Sequence, residues 1–196
     1  MLLNSLDLFG SLFSLLSTYY FIRIDIKAWP IGLMATCINS WLYWTKGIYA
    51  DMWLEAFYFS SLSYGWFRWS VQRKIPRSTV KYLSTKQWIQ LAFCIIGLYF
   101  IILHLLTEFS DSTVAKLDAL TTAISITAQF LTCYKVITSW VLWLFADLLY
   151  LLMYHNKALP FHVVTMFIYT SFAVIGYIYW ARQSVPHSPL LTQAKN

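Results

Sequence analysis

Ser139-Trp-Val-Leu-Trp-Leu-Phe-Ala-Asp-Leu-Leu-Tyr-Leu-Leu-Met-Tyr154 is apolar along nearly its whole length and carries one acid, Asp147, near its middle. It reads as a membrane-crossing helix. A carboxylate at that depth costs about 2.5–3.5 kcal/mol on insertion scales, so it should face a cavity or a partner rather than lipid. Trp140, Trp143, Tyr150 and Tyr154 stand at offsets of −7, −4, +3 and +7 from it. Those offsets put all five side chains on one helical face. An acid set among aromatic faces suits a flat cation.

The remainder of the chain is composed like this stretch. Its 196 residues are 59% hydrophobic and 11% charged, whereas soluble proteins carry about 25% charge. The apolar residues fall in runs of about twenty, the length that crosses a bilayer as a helix. The strict alternation of barrel strands is absent, which leaves helices as the spanning form. A net charge of +6 raises the question of nucleic acid. The basic residues sit at the ends of apolar runs, however, as membrane orientation requires, and no nucleic-acid role is expected. Cys37, Cys94 and Cys133 lie inside apolar runs without a CxxC pair, so they read as small packing residues rather than disulfides or metal ligands. The first run has no basic leader and no small-residue cleavage site, and is read as a retained helix.

Seven spans follow, at 5–23, 28–45, 49–72, 86–107, 115–135, 138–155 and 159–181, joined by short polar breaks. Eleven Lys and Arg residues fall on one side and three (Lys46, Lys116 and Lys157) on the other. The positive-inside rule then puts the N-terminus outside and the C-terminus in the cytoplasm. The basic segment between spans three and four reads as a topology determinant in contact with lipid headgroups. The tail after Arg182, with Pro186 and Pro189, reads as disordered.

The chain also repeats itself. A shift of 111 residues, without gaps, sets Trp29 on Trp140, Tyr43 on Tyr154, Lys46 on Lys157, Tyr58 on Tyr169, Gly65 on Gly176 and Trp69 on Trp180. Each unit spans three helices, and the helix between them restores their direction. The expected architecture is all-α, with seven transmembrane helices in a 3+1+3 parallel repeat. Repeat one covers 1–72, the basic loop and linker helix 73–114, repeat two 115–182, and the tail 183–196. Polar stripes at Asp7, Ser11, Ser14 and Thr18 and at Asp118, Thr122, Ser125 and Gln129 match under the same shift. They line a shared cavity or hydrogen-bond helix to helix.

Glu55 is a second acid inside a span, with Tyr58 and Phe59 three and four residues on, and no base lies at similar depth. Two such acids are compensated by a proton, a ligand, an ion or water. Asn39 shares a face with Thr36 and Tyr43 and either bonds a polar ligand or bridges helices. Gln129, deep and bulky, leans toward a ligand. Trp29, Trp69, Trp140 and Trp180 read as belt residues and packing wedges near the inner surface. No HExxH, paired-histidine ladder or cysteine cluster suggests a metal, and no glycine-rich loop suggests a phosphate cofactor.

Five segments together resemble the PnuC-type bacterial vitamin transporters. They are Trp29-Pro-Ile-Gly32; Lys46-Gly-Ile-Tyr-Ala-Asp51 with Tyr64-Gly-Trp-Phe-Arg-Trp69; Leu117-Asp-Ala-Leu120; Trp140-Val-Leu-Trp143; and Gly176-Tyr-Ile-Tyr-Trp180. The resemblance implies a SWEET-like fold, multi-pass insertion in the bacterial inner membrane and facilitated diffusion of nicotinamide riboside or a related vitamin. It implies no catalysis and no cofactor, and trapping of the cargo by a cytoplasmic vitamin kinase. SWEET-like proteins often assemble, which leaves a homo-oligomer open.

Two positions depart from the family pattern. Nicotinamide riboside members typically carry Trp-x3-Asn on helix six, where this chain has Trp143-x3-Asp147, and a glutamine where it has Glu55. The acids bring thiamine, with its thiazolium and aminopyrimidine, forward as the alternative cargo. The expected site is Asp147 and Glu55 for charge, Trp143 and Tyr150 for stacking, and Asn39 and Gln129 for polar edges. Tyr58 lies beside Glu55, and Thr36 holds the register position of Asp147 in the other repeat. A membrane enzyme using the two acids as acid and base, and a non-transporting receptor, are the rivals from other classes.

Overall fold

The computed structural model describes residues 2–46, 49–72, 80–109, 115–156 and 160–184. They form seven helices: α1 Leu2–Ile22, α2 Ala28–Lys46, α3 Tyr49–Gln72, α4 Thr85–Phe109, α5 Ala115–Cys133, α6 Thr138–Asn156 and α7 Pro160–Ser184. Each expected span coincides with one helix. The fifth ends at Cys133, two residues early, because Lys135 turns into the left-handed region at φ 55°. The expectations for residues 73–79, the loop around Lys157 and the tail beyond Ser184 lie outside the described residues, as do the side chains of Asp7, Lys46 and Tyr154.

Two turns set the helix order. After α1, Ile24 takes φ 54°; its N–H donates to Phe21 O at 3.0 Å and the Asp25 N–H to Tyr20 O at 3.0 Å. After α5, the Lys135 N–H donates to Thr132 O at 3.1 Å and the Val136 N–H to Leu131 O at 3.1 Å. Both are Schellman closures, in which a left-handed residue lets two N–H groups satisfy the orphan carbonyls of the last turn. Glycine usually holds that position, and here it is filled by isoleucine and lysine, 111 residues apart.

α2 packs against both α1 and α3, and α6 against both α5 and α7; the two groups meet where α1 touches α7 and α3 touches α5. α4 packs on α5. The strand-like segment before it is pinned to the α5–α6 turn, with the Lys81 N–H donating to Lys135 O at 2.8 Å and the Ile137 N–H to Lys81 O at 3.0 Å.

Tryptophans fill the end of the bundle that holds these turns. Trp29, Trp69, Trp140 and Trp180 are all buried, and consecutive rings lie 5.2 Å (Trp29–Trp69), 6.3 Å (Trp69–Trp180) and 5.6 Å (Trp180–Trp140) apart. The belt expectation for them fails, because helix packing removes them from the interface; the packing-wedge expectation holds. Trp69 Nε1 donates to Cys133 O at 3.2 Å, and Trp180 Nε1 to Phe21 O at 3.0 Å. Each thereby ties the last helix of one group to the end of the first helix of the other. Trp29 lies on Gly65, and Trp140 on Gly176, where a Cβ would come within 2.6 Å of the indole. Of the cysteines, only Cys133 is buried; Cys37 and Cys94 are exposed, so those two do not pack as expected.

The outer surface is apolar: Phe67 is 69% exposed and Phe93 70%. Thr85–Phe109 and Val164–Gln183 are long and apolar enough to cross a membrane by themselves. Leu8–Ile22 and Thr138–Leu152 are shorter apolar stretches, and several polar residues of α1, α2, α3, α5 and α6 turn inward.

The Trp–Gly contacts make a sharp prediction. Gly176→Ala should lower the melting temperature of the detergent-purified protein by several degrees, corresponding to about 1–3 kcal/mol of overpacking. Gly97→Ala, where an added Cβ meets nothing within 4 Å, should be neutral or slightly stabilising, since alanine favours a helix. Differential scanning fluorimetry on both variants checks this pair.

Candidate functional site: a central cavity with two acids

A cavity of about 380 Å³ lies among α1, α2, α3, α5, α6 and α7, in the size range of small-molecule sites, about 300–1,000 Å³. All eight residues singled out from the sequence line it: Thr36, Asn39, Glu55, Tyr58, Gln129, Trp143, Asp147 and Tyr150. Helical spacing accounts for the contribution of α6, where Trp143, Asp147 and Tyr150 recur at offsets of four and three. Trp140, one turn further, closes the same face where it joins the indole cluster.

The two acids enter from different helices. Asp147 is 8% exposed. Glu55, from α3, accepts a hydrogen bond from Asn39 Nδ2 at 3.3 Å. Asn39 thus bridges α2 and α3 while still lining the cavity. Gly10 makes room for it: a Cβ there would strike Asn39 Oδ1. Among the described residues, no lysine, arginine or histidine lines the cavity. Its electrostatics are therefore set by two carboxyl groups, with aromatic faces around them and no protein base among the lining residues.

Gln129 Nε2 is buried with no hydrogen-bond partner among the described residues, whereas the Ser125 hydroxyl has Tyr58 beside it. A buried donor without an acceptor costs about 1–3 kcal/mol. The hydroxyls of Thr36 and Thr132 instead bond to carbonyls of their own helices, Leu33 O and Ala128 O, at 2.9 Å each. The Ser17 hydroxyl crosses to Ala28 O at 2.8 Å. These are structural bonds, as serine and threonine commonly make within apolar helices.

The polar stripes contribute only in part. Ser14, Thr18, Ser125 and Gln129 line the cavity, whereas Ser11, Asp118 and Thr122 do not. Sequence reasoning did not select Tyr169 for the site. It stands against Ser14 from α7, within electrostatic reach of both Asp147 and Glu55. Tyr58 stands against Ser125 from α3, beside Glu55 and Tyr150. Tyr169 and Ser125 are the 111-residue counterparts of Tyr58 and Ser14, so the internal register carried the signal for Tyr169. Met166 and Phe21, also in the lining, have no comparable signal.

The sequence profile of the nicotinamide mononucleotide transporter family matches residues 4–182. The chain belongs to this family. Transporters of this family act on a small molecule at a membrane, and an acid-bearing cavity among helices is consistent with that class. The fold is shared with the crystal structure of the vitamin B3 transporter PnuC, at a TM-score of 0.75 and 19% identity, over 91% of this chain and 81% of that one. The resemblance noted from the five sequence segments therefore holds at the level of family and fold.

Asp147 provides a test of the cavity without any ligand. Asparagine keeps its shape and removes an isolated buried acid, whose retention costs stability. The ligand-free Asp147→Asn protein should melt at or above the wild-type temperature in detergent. A drop of several degrees would show that the carboxyl group has a structural partner.

Proposed function

We propose that this chain carries a small cationic vitamin across the bacterial inner membrane by facilitated diffusion, with nicotinamide riboside as the family's default cargo and phosphorylation by a cytoplasmic kinase as the trap. The single observation that carries the reading is the pairing of Asp147 and Glu55 in one cavity that has aromatic walls and no base among its described lining residues. A pyridinium ring suits that environment, stacking on Trp143 and Tyr150 with its charge compensated by the acids. Gln129 and Asn39, which also line the cavity, are the partners in this reading for the polar edges of the cargo. A phosphate-bearing mononucleotide would instead meet two carboxyls with no cation to offset them, so the lining favours an unphosphorylated cargo.

The transport cycle in this reading follows from the helix groups. Residues 1–72 and 115–182 act as two parallel three-helix units of a SWEET-like fold, with 73–114 as linker and 183–196 as a cytoplasmic tail. All seven helices cross the bilayer, the N-terminus faces out and the C-terminus faces the cytoplasm, in keeping with the distribution of Lys and Arg. The units rock about the central cavity to expose it to alternate sides. The exposed apolar rings of α3 and α4 fit contact with lipid. Modest affinity is expected, since a carrier must also release.

Thiamine is the second reading, and one observation favours it. Asp147 and Glu55 replace two amides of the family pattern, and they share one cavity. Thiamine offers both a cationic ring and an aminopyrimidine, which gives each acid a partner.

Liposomes containing only the purified protein should take up one of the two vitamins without ATP or an ion gradient. Binding of both without uptake would defeat the carrier reading, and chemical turnover of either would favour an enzyme. Thermal-shift titrations then assign the site. Asp147→Asn and Glu55→Gln should each weaken the preferred vitamin by about tenfold or more, the loss of one charge-assisted contact. If thiamine is the cargo, the double amide variant should move preference toward nicotinamide riboside.

A further inference from the structure

The two helix groups meet along two seams, α3 against α5 and α7 against α1. For the central cavity to open toward the end that holds the turns, at least one seam must part there. The shift of 111 residues sets one seam on the other, position by position. In each, a tryptophan of the third helix donates to a carbonyl at the end of the first: Trp69 to Cys133 O at 3.2 Å, and Trp180 to Phe21 O at 3.0 Å. In each, the residue before that tryptophan meets the residue before the left-handed turn, and the pair is an arginine and a tyrosine. The partners are exchanged. Arg68 lies over Tyr134 in one seam; in the other, Arg23, the counterpart of Tyr134, lies over Tyr179, the counterpart of Arg68.

The exchange makes the seams unequal. The Arg68 guanidinium is 3.7 Å from the Tyr134 ring centroid, a stacking contact, whereas that of Arg23 is 5.6 Å from the Tyr179 centroid. Arg68 is half-buried and Arg23 is exposed. A cation on a ring face is attracted more strongly when it is close and desolvated. With a tyrosine rather than an arginine at the end of α5, a hydroxyl is also available, and it hydrogen-bonds that of Tyr64 at 2.9 Å. The counterpart of Tyr64 is Ile175, whose side chain has no polar atom. Beside this pair, Cys133 Sγ lies 3.6 Å from Ser61 O; its counterpart, Ile22, has no donor in its side chain. Tyr134 thus holds α3 by its face and by its hydroxyl, and Arg23 with Ile175 cannot reproduce the second hold.

We propose that the α3–α5 seam is a hinge that stays clasped through Tyr134, and that the α1–α7 seam is the gate that parts when the cavity opens toward this end. The proposal deepens the transport reading and rests on it for the need to open and for placing this end at the cytoplasm. The two groups then swing about α3 and α5 rather than separating evenly.

Two buried thiols at equivalent places report the parting of each seam. Cys133, 1% exposed, is native to the α3–α5 seam; Ile22, 4% exposed and packed in the same core as Trp180, becomes its equivalent through Ile22→Cys. The full-length protein in liposomes carries Cys37→Ser and Cys94→Ser to remove the exposed thiols. Alkylation by N-ethylmaleimide is timed site by site with mass spectrometry, and each rate is divided by that of the same thiol in denatured protein. The Ile22→Cys thiol should react about tenfold faster than Cys133, or more. Tyr134→Leu, which removes both holds, should accelerate Cys133 about tenfold, and Tyr179→Leu should accelerate the Ile22→Cys thiol about threefold or less. Tyr64→Phe removes the hydrogen bond alone; it should accelerate Cys133 about threefold, and it serves should Tyr134→Leu fail to fold. Equal protection of the two thiols, faster reaction at Cys133, or protection of Cys133 unchanged by the Tyr134 and Tyr64 variants overturns the proposal. Vitamin uptake by the same liposomes reports separately: unequal seams in protein that takes up neither vitamin would leave the hinge standing and defeat the transport reading.

Discussion

Trp29 fits against Gly65 only because that position has no Cβ, and Trp140 fits against Gly176 for the same reason. These contacts bring α2 against α3 and α6 against α7 near the end where the chain turns. Trp69 and Trp180 then reach across, each to a carbonyl at the end of a helix in the other group. Four large rings are consumed in this way. Close approach of backbones to side chains drives packing where lipid removes the hydrophobic difference between inside and outside. With one end of the bundle filled, the space left further along the helices is the central cavity.

That cavity inverts the usual distribution of polarity. Apolar rings cover the outside, while two acids, the Gln129 amide and a group of tyrosines face inward. In water such an arrangement would be unstable; in a bilayer it is the stable one, since lipid cannot satisfy a carboxyl or an amide. Among the described lining residues both charged side chains are acids, which gives the cavity its sign. At the turn between α1 and α2, by contrast, Arg23, Lys27 and Lys135 line a separate pocket together with Asp25.

The sequence carried much of this because its physical signals were local. Runs of apolar residues of bilayer length located the helices, and α5 was misjudged only at its end, where Lys135 adopts a backbone conformation usually left to glycine. The cost of burying acids identified Asp147 and Glu55 without knowledge of any contact. The matches at a shift of 111 aligned Tyr58 with Tyr169, yet the mate was not selected, because a tyrosine alone in an apolar helix has no charge to demand an explanation. The tryptophans were assigned in part to the interface for a related reason: a ring near a helix end suits either a lipid boundary or a core.

By itself, then, the sequence determined that this is a helical membrane protein whose interior holds acids, since both conclusions follow from transfer free energies that belong to residues one at a time. Tertiary structure decided which polar residues share a cavity. Ser14 lines it and Ser11 does not, although both lie on the same stripe. Asn39 is spent in part on Glu55, and Thr36 on its own helix. Whether a buried polar atom is satisfied depends on what another helix places within about 3 Å of it, and that distance is set by how glycines and tryptophans let the helices approach.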